Sequence, residues 1–224
     1  VLTPTMGHDI VLPGLDELGP WRRSAFAGNQ TWRIDSESVP REDCVSCHMP
    51  ETSGTKAHRS HRFAGGHSTF AAMIGAPKQL EAIRENLEGA ASLDIFPLRR
   101  IPASAYGAIP GRPSKRGGVK PTILGFDVDL FNERVGHAFP GGAKDLRDTW
   151  LEVIVKDASG KVVATSGVEH EQTASEPYAY VLHARLADVG GDMQPTHDVS
   201  HFRTPVYDHT IKPRDAAVVR YLFT

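Results

Sequence analysis

The chain has 224 residues, with 25 Lys and Arg against 27 Asp and Glu and a formal net charge of -2. That length allows one large domain or two small ones with a real core, and 40% hydrophobic with 23% charged residues is ordinary for a folded globular protein. The absence of a basic excess argues against a general nucleic-acid binder, which must neutralise phosphates, and no apolar run approaches the roughly 18–20 residues that span a bilayer.

The chain begins at Val1 without a charged-then-apolar leader, so the numbering is expected to start at a mature or truncated N-terminus. The stretch to about Gly117 is rich in Pro, Gly, His and Arg and shows little alternation. A short helical piece is expected around Leu15 to Ser24. A clearer helix is expected from about Pro77 to Gly89: it opens on Pro, spaces Leu80, Ile83 and Leu87 along one face, and ends in Gly. Residues Arg99 to Gly118 mix Pro, Gly and basic side chains and read as a linker or extended strap.

After Gly118 the pattern changes. Thr122 to Phe131 alternates through Ile123, Phe126, Val128 and Leu130, with a slip near Gly125. Trp150 to Val155 leads through the turn Asp157-Ala-Ser-Gly160 into Lys161 to Thr165, and Tyr178 to Leu182 and Ala216 to Phe223 are further short apolar runs. Short strands at such spacing, with turn residues between them, predict an antiparallel β-sandwich. The fold class expected is therefore α+β: an irregular, mostly helical segment over 1–117, then a β-sandwich domain over 118–224.

Chemistry concentrates at Cys44-Val-Ser-Cys-His48. Two thiols three residues apart fit disulfide geometry poorly outside redox motifs, and the thioredoxin-like βαβ context of such motifs is missing. A tetrahedral zinc site would need two further soft ligands, and the chain has no third cysteine. The pentapeptide is the attachment signature of a covalent c-type haem. The thiols reach the two vinyl groups on one porphyrin edge, and the imidazole of the next residue turns beneath the ring to the iron.

The identity of a second axial ligand sets the iron's potential, with His/Met raising it relative to His/His. Met49 follows His48 directly and cannot reach the opposite haem face. Met6, Met73 and Met193 sit in no suggestive setting, and His8 is a weaker candidate. His58, His61 and His67 lie just downstream of the motif beside Gly65-Gly66, where backbone can approach a flat ring closely. His137 stands in Gly136-His-Ala-Phe-Pro-Gly-Gly142, a rigid loop between strands. The residues alone leave the choice among these open, and His170, His183, His197, His201 and His209 read as loop or surface histidines.

Several of these segments resemble bacterial multihaem c-type cytochromes: Cys44-Val-Ser-Cys-His-Met-Pro50, His58 to His67, Asn132 to Gly142, Trp150-Leu-Glu-Val153 and, upstream, Trp21-Arg-Arg-Ser-Ala-Phe26. They are similar in particular to the cytochrome c-554-related group, in which a haem segment precedes an immunoglobulin-like C-terminal domain. The resemblance covers about residues 18–224. It implies bis-histidine ligation, with His61 (or His67) and His137 as haem ligands beside His48. One departure stands out: relatives carry several CxxCH motifs and this chain has one. Either one ligand motif has become structural, or the chain supplies a ligand to a haem on another polypeptide.

The function expected is single-electron transfer by one covalent haem c, outside the cytoplasm in the periplasm or extracellular space, between redox protein partners, with other cytochrome subunits as candidates. Two other readings stand beside it. One is a haem enzyme or gas sensor with an open distal iron position, for which no dedicated catalytic signature is present. The other is a docking subunit of a larger multihaem complex. Arg59, Arg62, Arg99, Arg100, Arg112, Lys115 and Arg116 are candidates to pair with haem propionates or an acidic partner, though such side chains are most often ordinary solvated surface.

Overall fold

A computed structural model describes residues 16–29, 38–52, 57–96, 99–102, 122–146, 149–168, 179–193 and 197–223. The helices are few and short: α1 (Leu18–Arg22), followed by a 3-10 turn at Ala25–Ala27, then α2 (Cys44–His48), α3 (Ser68–Met73) and α4 (Pro77–Leu87). The strands are β1 (Ala91–Ile95), β2 (Arg99–Pro102), β3 (Thr122–Asn132), β4 (Thr149–Trp150), β5 (Val153–Lys156), β6 (Val162–Ser166), β7 (Val181–Leu182), β8 (Ala184–Ala187), β9 (Thr204–Asp208) and β10 (Ala216–Phe223). The fold is α+β with several antiparallel pairings. Among the described residues, no helix is long and apolar enough to cross a membrane.

Contacts gather into two compact units. The first comprises Val1–Ser92, Phe131–Thr149 and Val181–Asp215, and the second Leu93–Leu130, Trp150–Tyr180 and Ala216–Thr224. Each therefore draws on residues from both sides of Gly117.

In the first unit, α4 forms where the sequence predicts it. Pro77 occupies the first turn, where its missing N–H costs nothing. Ile83 is buried and Leu80 is half-buried, while Leu87 is exposed. Gly89, at φ +66, takes the left-handed conformation just past the end. The predicted piece at 15–24 is the short α1 with the adjoining 3-10 turn. The first unit also holds the antiparallel pair β8–β9, in which Ala184 faces Asp208 and Ala187 faces Thr204. Leu182, Ala184, Leu186, Ala187, Phe202 and Ile211 form its buried apolar centre.

In the second unit a sheet runs β1-β3-β10, with β2 also paired to β3. The antiparallel β2–β3 register sets Arg99 against Gly125 and Pro102 against Thr122, so the start of the expected strap is a strand. Residues 103–118 of that strap lie outside the described residues, as do Arg112, Lys115 and Arg116. Phe126, Val128 and Leu130 of β3 alternate inward and are buried. Phe126 stacks on Tyr221 of β10 with ring centroids 5.5 Å apart, and Asp127 receives a two-pronged ion pair from Arg220 at 2.7 and 2.8 Å. The hairpin β5–β6 turns at Asp157, whose Oδ1 accepts the backbone N–H groups of Ser159 and Lys161.

Candidate functional site at His48 and His137

The motif Cys44–His48 forms the helix α2, whose start is fixed by a reciprocal cap. Asp43 Oδ1 accepts the Ser46 N–H (2.7 Å), and Ser46 Oγ accepts the Asp43 N–H (2.8 Å). One helical turn carries Cys44, Cys47 and His48 at i, i+3 and i+4, so all three share a face. Both cysteines are free and exposed. The Cys47 thiol donates to Glu42 Oε2 at 3.1 Å. Local desolvation, then the hydrogen bond and negative charge of Glu42, push that thiol up to about 12. Glu42 is held in turn by its backbone, whose carbonyl accepts from Trp21 Nε1 (2.8 Å) and whose N–H donates to Phe26 (2.9 Å).

His48 is fixed by the segment that follows the motif. Its Nδ1 lies 2.6 Å from the Ala64 carbonyl oxygen, and that oxygen also accepts from Asn86 Nδ2 of α4 at 3.2 Å. A carbonyl has no hydrogen to give, so Nδ1 is the donor and, in the neutral ring, Nε2 carries the lone pair. Phe63 stacks on the imidazole, with centroids 4.6 Å apart and planes 13° apart. Its backbone sits at φ +46, an unusual left-handed conformation for a bulky residue. The stretch His58 to His67, noted for its histidines, thus also holds His48 through Phe63 and Ala64.

His137 is presented by the loop after β3. Asn132, fully buried, ties this loop together: its Nδ2 donates to the carbonyls of His137 (3.0 Å) and Ile211 (3.2 Å), and its Oδ1 accepts the Val135 N–H (3.0 Å). Phe139 and Ile211 exchange backbone hydrogen bonds at 2.8 Å, and the Phe139–Pro140 peptide is cis. Gly141 is required for space, because a Cβ there would lie 2.5 Å from His137 Cε1 and 2.6 Å from Nδ1. The ring's Nδ1 faces two acceptors, the Ala138 carbonyl at 2.9 Å and Glu17 Oε2 at 3.0 Å. Glu17 Oε1 accepts the Gly142 N–H at 2.6 Å. Burial alone would raise the Glu17 pKa, but the hydrogen bond and charge of His137, the Gly142 N–H and the nearby Lys144 charge outweigh it and hold the carboxyl below its usual value.

The two histidines meet. Their imidazole planes are 7° from parallel and their centroids are 6.2 Å apart. A metal ion between two imidazole nitrogens sets ring centroids about 6.3 Å apart, from roughly 2.0 Å per metal–nitrogen bond and roughly 1.15 Å from nitrogen to ring centre on each side. Each ring has its Nδ1 occupied by an oxygen acceptor, which is the outer arrangement of metal-ligating histidines. The donor set and its spacing fit a haem iron, with Cys44 and Cys47 beside it for the thioether bonds.

The other sequence candidates sit elsewhere in this unit. His61 and His67 are exposed, His67 at the N-cap of α3. His58 Nδ1 contacts Thr52 Oγ1 at 3.2 Å, and Arg59 pairs with Glu51 at 3.7 Å. Met49 caps α2, and Met73 and Met193 are exposed. Met6, His8 and His170 lie outside the described residues. Glu17, Phe63, Ala64, Asn86, Asn132 and Gly141 were not singled out in the sequence. Of these only Gly141, in a Pro-Gly-Gly run beside a histidine, carries a local signal of close approach.

No family model matches the chain, and no curated protein matches it. Among solved structures it is similar to a penta-haem cytochrome c552 from Thermochromatium tepidum, at 20% identity and a TM-score of 0.50, over 93% of this chain and 39% of that one. At that identity the likeness concerns the fold. The chain spans well under half the length of that cytochrome.

Proposed function

We propose that the chain is a c-type cytochrome that carries one haem, joined to Cys44 and Cys47, and passes single electrons. His48 and His137 are its axial ligands. The observation that carries this reading is the parallel pair of imidazoles 6.2 Å apart, a spacing compatible with one iron between them, each with Nδ1 against an oxygen acceptor and His48 beside the two thiols of its helix. Two imidazoles complete a six-coordinate iron only where four equatorial ligands come from elsewhere, as a porphyrin supplies. The likeness in fold to a penta-haem cytochrome supports the same chemistry. His61 and His67 are the alternative distal ligands.

Bound here, haem supplies an iron centre that changes charge by one electron. The protein's part is to hold its ligands. Ala64 and Asn86 set the His48 ring, Asn132 and Gly141 shape the loop that offers His137, and the exposed face of α2 leaves the attachment edge near the surface for a partner. With both axial positions filled by protein, iron has no open site for substrate, which favours electron transfer over catalysis or gas binding. Covalent attachment of this type places the protein in the periplasm or outside the cell, with redox proteins, other cytochrome subunits among them, as partners.

For the second unit we propose an immunoglobulin-like β-sandwich. Supporting it are the alternating buried face of β3 (Phe126, Val128 and Leu130) and the antiparallel β5–β6 hairpin.

Expression with periplasmic haem attachment tests the main reading. The purified chain is expected to retain one haem through denaturation and to show a low-spin spectrum in both oxidation states, unaltered by carbon monoxide. Failure to attach haem, or a high-spin spectrum that responds to carbon monoxide, contradicts it.

A further inference from the structure

We propose that Glu17 is the positioning residue of the His137 ligand: beside the Ala138 carbonyl, which holds the proton on Nδ1, its carboxylate charge keeps the ring oriented and makes that ligand more electron-donating, lowering the reduction potential. The proposal rests on the assignment of His137 as an axial ligand.

Glu17 stands at the N-cap of α1, yet its side chain makes no cap; the Gly19 N–H is taken by Asp16 Oδ1 at 2.7 Å. The carboxylate instead spans the loop at His137, with Oε2 at the ring's Nδ1 (3.0 Å) and Oε1 at the Gly142 N–H (2.6 Å). Both acceptors at Nδ1, the Ala138 carbonyl and Glu17, lack a hydrogen to offer, so the ring proton must be on Nδ1 and the lone pair on Nε2. The Ala138 carbonyl is attached to the histidine's own backbone and moves with it. Glu17 comes from a distant part of the chain and anchors the ring against α1.

The contact is also shielded. Glu17 Oε2 is buried from solvent and meets His137 Nδ1 as an ion-pair contact at 3.0 Å rather than as a well-aligned hydrogen bond, and the side chains of Glu17 and His137 are 29% and 26% exposed. Negative charge there is weakly screened and pushes electron density through the imidazole towards iron, favouring the ferric state. Lys144, buried and paired with Asp208 at 3.4 Å, is the nearby cation that tempers it. His48 has no such partner at Nδ1, where it meets the neutral Ala64 carbonyl. The two axial imidazoles are therefore unequal, and the one from the distant loop bears the charge.

The test is potentiometry of the haem-loaded protein and its Glu17→Gln and Glu17→Ala variants, with the Nδ1–H resonance of His137 followed by NMR in the diamagnetic ferrous form. Glu17→Gln keeps the side chain's size and one acceptor and removes the charge. It is expected to keep the low-spin spectrum, to shift the reduction equilibrium about tenfold towards ferrous haem, or about 59 mV for a one-electron couple, and to move the Nδ1–H resonance upfield. An unchanged potential and resonance in Glu17→Gln would overturn the proposal, even if Glu17→Ala disturbs the spectrum, because Glu17 would then be only a structural brace. His137→Ala is the control. If that variant loses the low-spin spectrum while Glu17→Gln changes nothing, the ligand assignment stands and the Glu17 proposal falls. If it keeps the spectrum, both fall.

Discussion

The imidazoles of His48 and His137 lie parallel within 7°, their centroids 6.2 Å apart, although one belongs to α2 and the other to the loop after β3. Each ring is oriented from outside its own element, His48 by Ala64 and Phe63 and His137 by Glu17.

If this pair holds the iron, His137→Ala removes one axial nitrogen. The variant is expected to convert to a high-spin ferric form and to bind carbon monoxide when reduced. His61→Ala and His67→Ala are expected to stay low-spin. Absorption spectra of the three variants check this, and a low-spin His137→Ala beside a high-spin His61→Ala would move the ligand to His61.

Gly141→Ala places a methyl group where Cε1 and Nδ1 of His137 already stand. The ring or the loop must shift, at a cost of about 1–3 kcal/mol. A lower thermal midpoint and a rise in the high-spin fraction are expected, read by calorimetry and absorption on the same sample. A variant with wild-type midpoint and spectrum would show that the loop does not press on the ring.

Asn132→Ala removes the hydrogen bonds its buried side chain makes to the carbonyls of His137 and Ile211 and accepts from the Val135 N–H. The expected destabilisation is about 2–4 kcal/mol, measured by denaturant unfolding. His137 should lose order with the loop, so the distal ligand is expected to weaken in the same variant.

Asp208, which shares Lys144 with the surroundings of Glu17, gives a pH dependence of its own. Burial raises its pKa, but hydrogen bonds from Thr210 and Lys212 and the charge of Lys144 bring it down to about 2. A folded pKa below the unfolded value of about 3.9 means stability that is fully present above that value and lost as pH falls from about 4 towards 2. The contribution near neutrality is about 2 kcal/mol. Asp208→Asn should be less stable than wild type at pH 7 and converge on it near pH 2. Parallel pH–stability curves would contradict the assignment.

Much of this was legible where the signal is local. The CxxCH spacing singles out Cys44, Cys47 and His48, which share one turn of α2, the Pro-to-Gly pattern with Leu80 and Ile83 marks α4, and alternation through Phe126, Val128 and Leu130 marks β3. The strands β1, β8 and β9 were not anticipated. β1 alternates (Ala91-Ser-Leu-Asp-Ile95) but over only five residues directly after α4, while β8 carries Arg185 and β9 opens on Thr204-Pro205, so neither of those presents an alternating apolar run. The outer groups at the site left no pattern either, because an acceptor such as Glu17 or the Ala64 carbonyl is chosen by three-dimensional proximity and is compatible with almost any neighbouring residues. His137 was singled out for its glycine-rich loop, and the family resemblance set it with His61 and His67 beside His48, but the sequence did not choose among them.

The low-temperature EPR spectrum of the oxidised, haem-loaded protein tests the His48–His137 centre most directly. A single low-spin ferric species of the bis-imidazole type, abolished by His137→Ala, is the expected result. A high-spin spectrum in the wild type, or a low-spin spectrum that survives His137→Ala, would contradict it.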